Sequence, residues 1–172
     1  DMDGLKKYFS KFEKDSNNLK KIGFLNPNTI NNPAIYNLIT SKYEKAKSYN
    51  IDFNLDIFLD FNNINMSIYE FSRILGILLD NAIEAAKDCE IKIINASVRE
   101  AVKQNVQIIS IENSYSNNKI DKNKIFQKGI STKENHSGLG LWEVNKIVNH
   151  NENVILKTII TEDFFKQEIQ IY

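Results

Sequence analysis

Two glycines near the predicted start of a helix, Gly138 and Gly140, could bring the backbone close to a phosphate group. Such a turn points backbone N–H groups at an anion, and the helix N-terminus adds a partial positive charge. Lys128 and Lys133, which precede the glycines, could add positive charge. Because Gly-x-Gly alone is a weak signal, a flexible turn remains the ordinary alternative.

Asn81 is the second residue whose type could do chemistry. It lies inside a predicted helix, where Asn is unfavourable because its side chain competes for backbone hydrogen bonds. Its side-chain oxygen could coordinate Mg²⁺, an ion that also keeps phosphate oxygens as ligands. Glu84, three residues later, shares its helix face. A solvent-facing Asn in an Asn-rich chain is the alternative, and it is favoured if Asn81 is taken alone.

Together these stretches resemble two sequence boxes of the GHKL ATPase and kinase superfamily. The sequence LLDNAIEAA at 78–86 is similar to the N-box, and GISTKENHSGLGL at 129–141 is similar to the second G-box. Within the superfamily, the chain resembles the catalytic domain of peptide-pheromone, quorum-sensing sensor histidine kinases of the AgrC type. The similarity extends from DMDGLKKYF to the final strand. The paired boxes make a more specific signal than either motif alone.

The resemblance implies a site for ATP and Mg²⁺. Asn81 takes the role of metal ligand, Lys133 is a candidate phosphate contact, and Glu84 is a candidate polarising group; these three are the implied catalytic residues. The polar run 114–137 becomes a lid over ATP, with Ile125 and Phe126 as its hydrophobic anchor. The other implied contacts to the nucleotide lie on the strand before the lid, in the lid and in the glycine loop: Asn113, Lys128, Ser131, Thr132, Gly138, Leu139, Gly140 and Leu141.

Two positions depart from the pattern of the superfamily. Many members carry Asp-x-Gly-x-Gly before the lid, where the Asp reads the adenine amino group, but this chain has IENSY at 111–115. Asn113 therefore replaces the Asp with a neutral amide, and Tyr115 replaces the first Gly. One turn before Asn81, where ATP-hydrolysing members often place a Glu, the chain has Ile77. Slow attack by water is therefore expected, which suits a kinase better than an ATPase.

The implied activity is transfer of the ATP γ-phosphoryl group to a histidine outside this sequence. The two histidines, His136 and His150, do not match a phosphoacceptor motif, so no autophosphorylation of this sequence alone is expected. Two alternatives stay open: a GHKL protein serine kinase of the anti-sigma type, and a scaffold domain that no longer binds nucleotide.

The elements that must position these residues follow from periodicity and capping. Helices are predicted over 3–20, from Pro33 to about Tyr49 with Asn32 as N-cap, over 67–87, and from just after Gly138 to about Asn149. Ser67 and Glu70 are expected to form a capping box, and Ile68 to begin a core stripe. Strands are predicted at 51–58, 91–99, 106–112, 154–161 and 164–172.

This order favours an α+β, two-layer α/β sandwich with a mixed sheet under helices, and the resemblance makes it the Bergerat fold. Residues 1–26 are expected to be the second helix of a dimerisation hairpin with its linker, and 27–172 the ATP-binding domain. The sequence would then begin just after the phosphoacceptor box.

Composition limits the partners. The chain has 22 basic and 22 acidic residues, so no net field attracts nucleic acid. A single cysteine and the lack of a long apolar run indicate a cytoplasmic domain, which the resemblance attaches to a membrane-anchored sensor. The implied partners are the dimerisation hairpin of the same kinase and a downstream response regulator. The first helix could also mediate a homodimer.

Overall fold

The computed structural model describes residues 30–116, 125–129 and 138–172. The predicted first helix and its linker lie outside these ranges. The described residues form two layers, a sheet with helices on one face. The helices are α1 (Pro33–Ser48), α2 (Ile68–Ala86) and α3 (Gly140–His150), with short 3₁₀ turns at Phe61–Asn63 and Val102–Gln104. The strands are β1 (Asp52–Phe58), β2 (Ile93–Ala101), β3 (Val106–Ser114), β4 (Val154–Ile160) and β5 (Phe164–Ile171).

The sheet is mixed, as predicted, and its order is β1-β2-β3-β5-β4. β1 runs parallel to β2, and the other neighbours are antiparallel. Since parallel strands need a crossover connection, α2 lies between β1 and β2 in the chain and packs against the sheet. This confirms the two-layer α+β sandwich.

Helix α2 is central to the core. Its buried residues recur at helical spacing and meet the strand residues on one face of the sheet; they are Phe71, Ile74, Leu75, Ile77, Leu78, Leu79, Ala82, Ile83 and Ala86. Ile68 was expected to begin this stripe, but it is 37% exposed. The buried face therefore starts at Phe71, whose ring packs edge-on against Phe61 at a centroid separation of 5.8 Å.

The two helix starts that were predicted from caps differ in outcome. The Asn32 side chain accepts hydrogen bonds from the backbone N–H groups of Ala34 and Ile35, so this N-cap is confirmed. The predicted capping box at Ser67 is wrong, because the Ser67 side chain makes no capping hydrogen bond. Glu70 instead lies 3.4 Å from the side-chain nitrogen of Asn151, which follows α3. A contact between helices thus replaces the local one.

The remaining boundaries are close to those predicted. β2 begins at Ile93 rather than residue 91, and Ile91 is exposed. β3 extends to Ser114, two residues beyond the predicted end. In the part of the chain that the structure describes, no helix is both long and apolar enough to cross a membrane.

Candidate functional site

Asn81 lies in the second half of α2 and is half-buried. Its side-chain nitrogen is buried and has no hydrogen-bond partner among the described residues. A buried polar atom without a partner normally costs free energy of about 1–3 kcal/mol, so such atoms are few, and a bound group is one way to complete their bonding. Asn81 therefore has polar capacity that the described protein groups do not use.

Gly140, the first residue of α3, lies directly against this side chain. A Cβ atom built on Gly140 would be 3.1 Å from Cγ2 of Ile77 and 3.6 Å from both polar atoms of the Asn81 amide. An alanine at this position would meet Ile77 more tightly than usual, and Ile77 would have to move by a few tenths of an ångström, whereas 3.6 Å from Asn81 is an ordinary van der Waals distance. The glycine thus favours the close approach of the α3 N-terminus to α2.

Among the described residues, the start of α3 has no side-chain capping hydrogen bond. Leu139 is its N-cap residue and has no side-chain oxygen that could bond the first N–H groups. Gly138 has φ +60°, a conformation that favours glycine and turns the chain into the helix. The N–H groups of Gly140 and Leu141, in the first turn, then have the orientation that binds phosphate in other proteins. The structure therefore brings Gly140 close to Asn81, with Gly138, Leu139 and Leu141 adjoining it in the chain, and their common role in binding a nucleotide stays a prediction.

A charged fork, which the sequence did not suggest, connects the two helices beside this contact. Arg73 donates from Nε to Glu143 Oε1 at 2.6 Å and from Nη2 to Glu143 Oε2 at 2.7 Å. The hydrogen bond from Arg73 is the main reason that the pKa of Glu143 is lowered. The partners are seventy residues apart in the chain, so no local pattern could have paired them.

Asp80, the neighbour of Asn81, connects α2 to α1 through ion pairs. It accepts hydrogen bonds from Lys42 at 2.7 Å and Lys45 at 2.9 Å, both on α1. Burial alone would raise the pKa of Asp80, but the two lysines outweigh it and lower the pKa below its usual value. The pKa of Lys45 is raised, mainly by the hydrogen bond to Asp80 and further by the charge of Glu84. Glu84, predicted as a polarising group, therefore lies within electrostatic range of α1.

Lys128 was predicted to contact the nucleotide, and the structure places it over an aromatic ring. Its ammonium nitrogen lies 5.2 Å from the ring centroid of Trp142, and that of Lys146 lies 5.6 Å from the same centroid. The backbone N–H of Gly129 donates to the carbonyl of Gly138 at 3.2 Å. Lys128 and Gly129 thus contact the chain at the start of α3.

Asn113, the predicted adenine contact, is buried on β3. It has the same strand parity as Ile109 and Ile111, which lie in the core, so its side chain is on the helix side of the sheet. Its amide nitrogen donates to the carbonyl of Ser114 at 2.9 Å. This bond orients the amide and leaves its oxygen able to accept from an amino group.

The other predicted residues of the lid are only partly described. Ile125 and Phe126, the predicted hydrophobic anchor, are half-buried. Ser131, Thr132 and Lys133 lie outside the described residues, and their roles stay predictions.

Comparison with known proteins decides the family. The family model described as "GHKL domain" matches residues 66–172, which include Asn81, Asn113 and the glycine loop. The chain belongs to the GHKL domain family. A search of curated proteins gave no match.

Solved structures share the fold of this GHKL domain. It is similar to the catalytic domain of histidine kinase ThkA, with TM-score 0.65 and 24% identity over 80% of this chain and 89% of that one. The mycobacterial sensor histidine kinase MprB matches with TM-score 0.61 and 14% identity over 78% of this chain and 93% of that one. Full-length ShkA in complex with AMPPNP matches with TM-score 0.61 and 11% identity over 80% of this chain and 29% of that one. The expected Bergerat-type α+β fold is thereby confirmed.

Proposed function

We propose that this GHKL domain binds ATP with Mg²⁺ between α2 and the N-terminus of α3, and is the catalytic domain of a sensor histidine kinase. The observation that carries the proposal is the close approach of Gly140 to Asn81, whose buried amide nitrogen has no partner among the described residues. The glycine lets the N-terminus of α3 approach a side chain whose nitrogen has no partner. This arrangement fits a site that binds a polyphosphate better than it fits a contact that only packs two helices.

The residues present fit both ligands. Gly138, Gly140 and the N–H of Leu141 would bind phosphate oxygens, and the oxygen of Asn81 would hold the metal. Among the described residues, no group of three His, Cys, Asp or Glu side chains could hold a metal ion. Asn81 would thus be the protein ligand that these residues offer to Mg²⁺, an ion that commonly binds through few protein groups together with water and substrate phosphates. Bound there, Mg²⁺ would neutralise charge on the phosphates.

The protein's own part in the reaction is positioning and electrostatic stabilisation. The helix N-terminus and the predicted contact Lys133 would stabilise negative charge as the γ-phosphoryl group passes to a histidine nitrogen. The P–O bond to ADP breaks and a P–N bond forms. Ile77, buried against Gly140, has no group that could activate water. Neither of the chain's two histidines, His136 and His150, matches a phosphoacceptor motif, which favours an acceptor histidine supplied from elsewhere.

The narrower assignment rests on the resemblance of the sequence. We propose an AgrC-type, quorum-sensing kinase in which 1–26 ends a dimerisation hairpin, 27–172 forms the catalytic domain, and the domain is the cytoplasmic part of a membrane-anchored sensor. Its partners would be that hairpin and a response regulator, with a homodimer formed through the first helix. The ShkA structure is a complex with AMPPNP, an ATP analogue, which supports nucleotide binding by the shared fold.

A scaffold that does not bind nucleotide is the second candidate. One observation favours it, since the amide of Asn113 already donates to Ser114 and provides no carboxylate for adenine. An adenine amino group would then have only the neutral amide oxygen of Asn113 as acceptor, which weakens recognition of the base.

Calorimetric titration of the 172-residue chain with ATP and Mg²⁺ tests the proposal. We expect saturable binding that is stronger for ATP than for GTP and is weakened at least about tenfold in Asn81→Ala, which removes the proposed metal ligand. Asn37→Ala, on the exposed face of α1, is the matched control and should bind like wild type. No heat with millimolar ATP would favour the scaffold. Stoichiometric labelling of the chain alone by ATP would contradict an acceptor supplied from elsewhere.

A further inference from the structure

The fork between Arg73 and Glu143 lies in line with the proposed phosphate site. Arg73, Ile77 and Asn81 are four residues apart on α2, so they follow one another along a single face of that helix. Opposite them, Gly140 contacts Ile77 and Asn81, and Glu143 pairs with Arg73. The ion pair and the glycine contact therefore belong to one helix–helix seam.

Few side chains on the face of α3 that meets α2 interlock near the site. Helix α3 contributes a glycine at its first position, and its fully buried residues, Val144 and Val148, come after the first turn, in which Leu141 is half-buried and packs against the core. Ridges and grooves of side chains normally fix how two helices sit, and Gly140 supplies no side chain that could fix the end of α3 against α2. A bidentate Arg–carboxylate pair can supply that restraint, because its two parallel bonds set both distance and orientation.

The ion pair between Arg73 and Glu143 is expected to affect the position of the α3 N-terminus more than the free energy of folding. Arg73 is about half exposed, and ion pairs of this exposure contribute little to the free energy of folding. The fork nonetheless holds the first turn of α3, whose N–H groups would have to meet phosphate oxygens within tenths of an ångström.

The positive charge of Arg73 has a second effect at the start of α3, because it offsets the charge of Glu143. Glu143 lies in the first turn of α3, close to where a polyphosphate would bind. An unpaired carboxylate there would repel the anion, and the guanidinium offsets its charge. Restraint and neutralisation both favour phosphate binding, but they can be separated by mutation.

We infer that Arg73 is a positioning residue for the phosphates of ATP, acting through Glu143 by fixing the N-terminus of α3 against Asn81. This inference rests on the proposed function. It assigns no contact between Arg73 and the nucleotide. Its specific consequence is that loss of the fork weakens binding of the phosphates and leaves binding of the nucleoside unchanged.

The experiment compares dissociation constants for Mg²⁺–ATP and for adenosine, measured by calorimetry on the 172-residue chain. Arg73→Met should weaken ATP binding about tenfold and leave adenosine binding and the melting temperature close to wild type. Arg73→Lys keeps the charge and loses the fork, so it should also weaken ATP binding. Arg99→Met is the matched control, because Arg99 is the other arginine of the chain and lies exposed on β2.

The double variant Arg73→Met/Glu143→Gln separates positioning from charge. It removes both charges together with the fork, so the inference expects ATP binding to stay weak. Recovery of wild-type ATP affinity in the double variant would show that only neutralisation matters and would overturn the inference. Equal weakening of ATP and adenosine, or unchanged ATP binding in Arg73→Met, would overturn it as well. If wild type itself binds no ATP, the proposed function fails first.

Discussion

Replacing Asn81 with Ala should stabilise the nucleotide-free protein, but it should also remove the stabilisation that the protein gains from binding Mg²⁺–ATP. The buried nitrogen without a partner costs roughly 1–3 kcal/mol in the wild type, and the substitution removes that cost. Ala is also the better residue inside a helix, by about 0.6 kcal/mol. Lost contacts of the amide with Gly140 act in the opposite direction. The net expectation is a gain of about 1 kcal/mol, or a melting temperature roughly 2–4 °C higher.

Mg²⁺–ATP should reverse the order of the two melting temperatures. At a concentration of Mg²⁺–ATP one hundred times the dissociation constant, the wild type gains about 2.7 kcal/mol through mass action. Asn81→Ala should gain much less, so wild type should then melt at the higher temperature. Thermal unfolding followed by circular dichroism, with and without Mg²⁺–ATP, measures both effects on the same samples.

The matched control is Asn37→Ala, an exposed position inside α1. It should show only the gain from helix propensity, about 0.6 kcal/mol, and respond to ATP like wild type. The reasoning is refuted if Asn81→Ala is destabilised by more than about 1 kcal/mol without ligand. In that case the side chain serves the fold, and its buried nitrogen is not capacity reserved for a ligand.

Three further predictions follow from the same region. Gly140→Ala forces a Cβ against Ile77, so we expect a loss of about 1–3 kcal/mol in urea unfolding together with loss of ATP binding; an unchanged ATP affinity would contradict the role of the glycine. Asp80→Asn should destabilise by about 1 kcal/mol at pH 7. Because the pKa of Asp80 is lowered on folding, that difference should be fully present above about pH 4 and vanish as the pH falls through the folded-state value; a difference that persists in acid would refute the ion pairs. Trp142 is the only tryptophan of the chain and follows the glycine loop, so its fluorescence should titrate with the calorimetric dissociation constant for ATP; unchanged emission at saturation would place ATP elsewhere.

Local sequence patterns were sufficient for most elements. The Asn32-Pro33 start of α1 and the alternation of β1 depend on interactions within a few residues, which propensity and periodicity report directly. The same holds for the glycines before α3, whose backbone freedom is a property of the residue itself. The resemblance then connected two distant boxes, and the structure places Asn81 and Gly140 in contact.

The sequence alone determined the class of fold, the helix and strand pattern and the residues proposed to bind ATP, because each depends on short-range spacing or on the boxes. Only the tertiary structure decided what those residues touch. Glu70 lies near Asn151 and makes no cap, Lys128 lies over Trp142, and Arg73 holds Glu143 across seventy residues. Such pairings form only when folding brings distant segments together. They produce no periodic pattern in the sequence, so sequence patterns could not predict them.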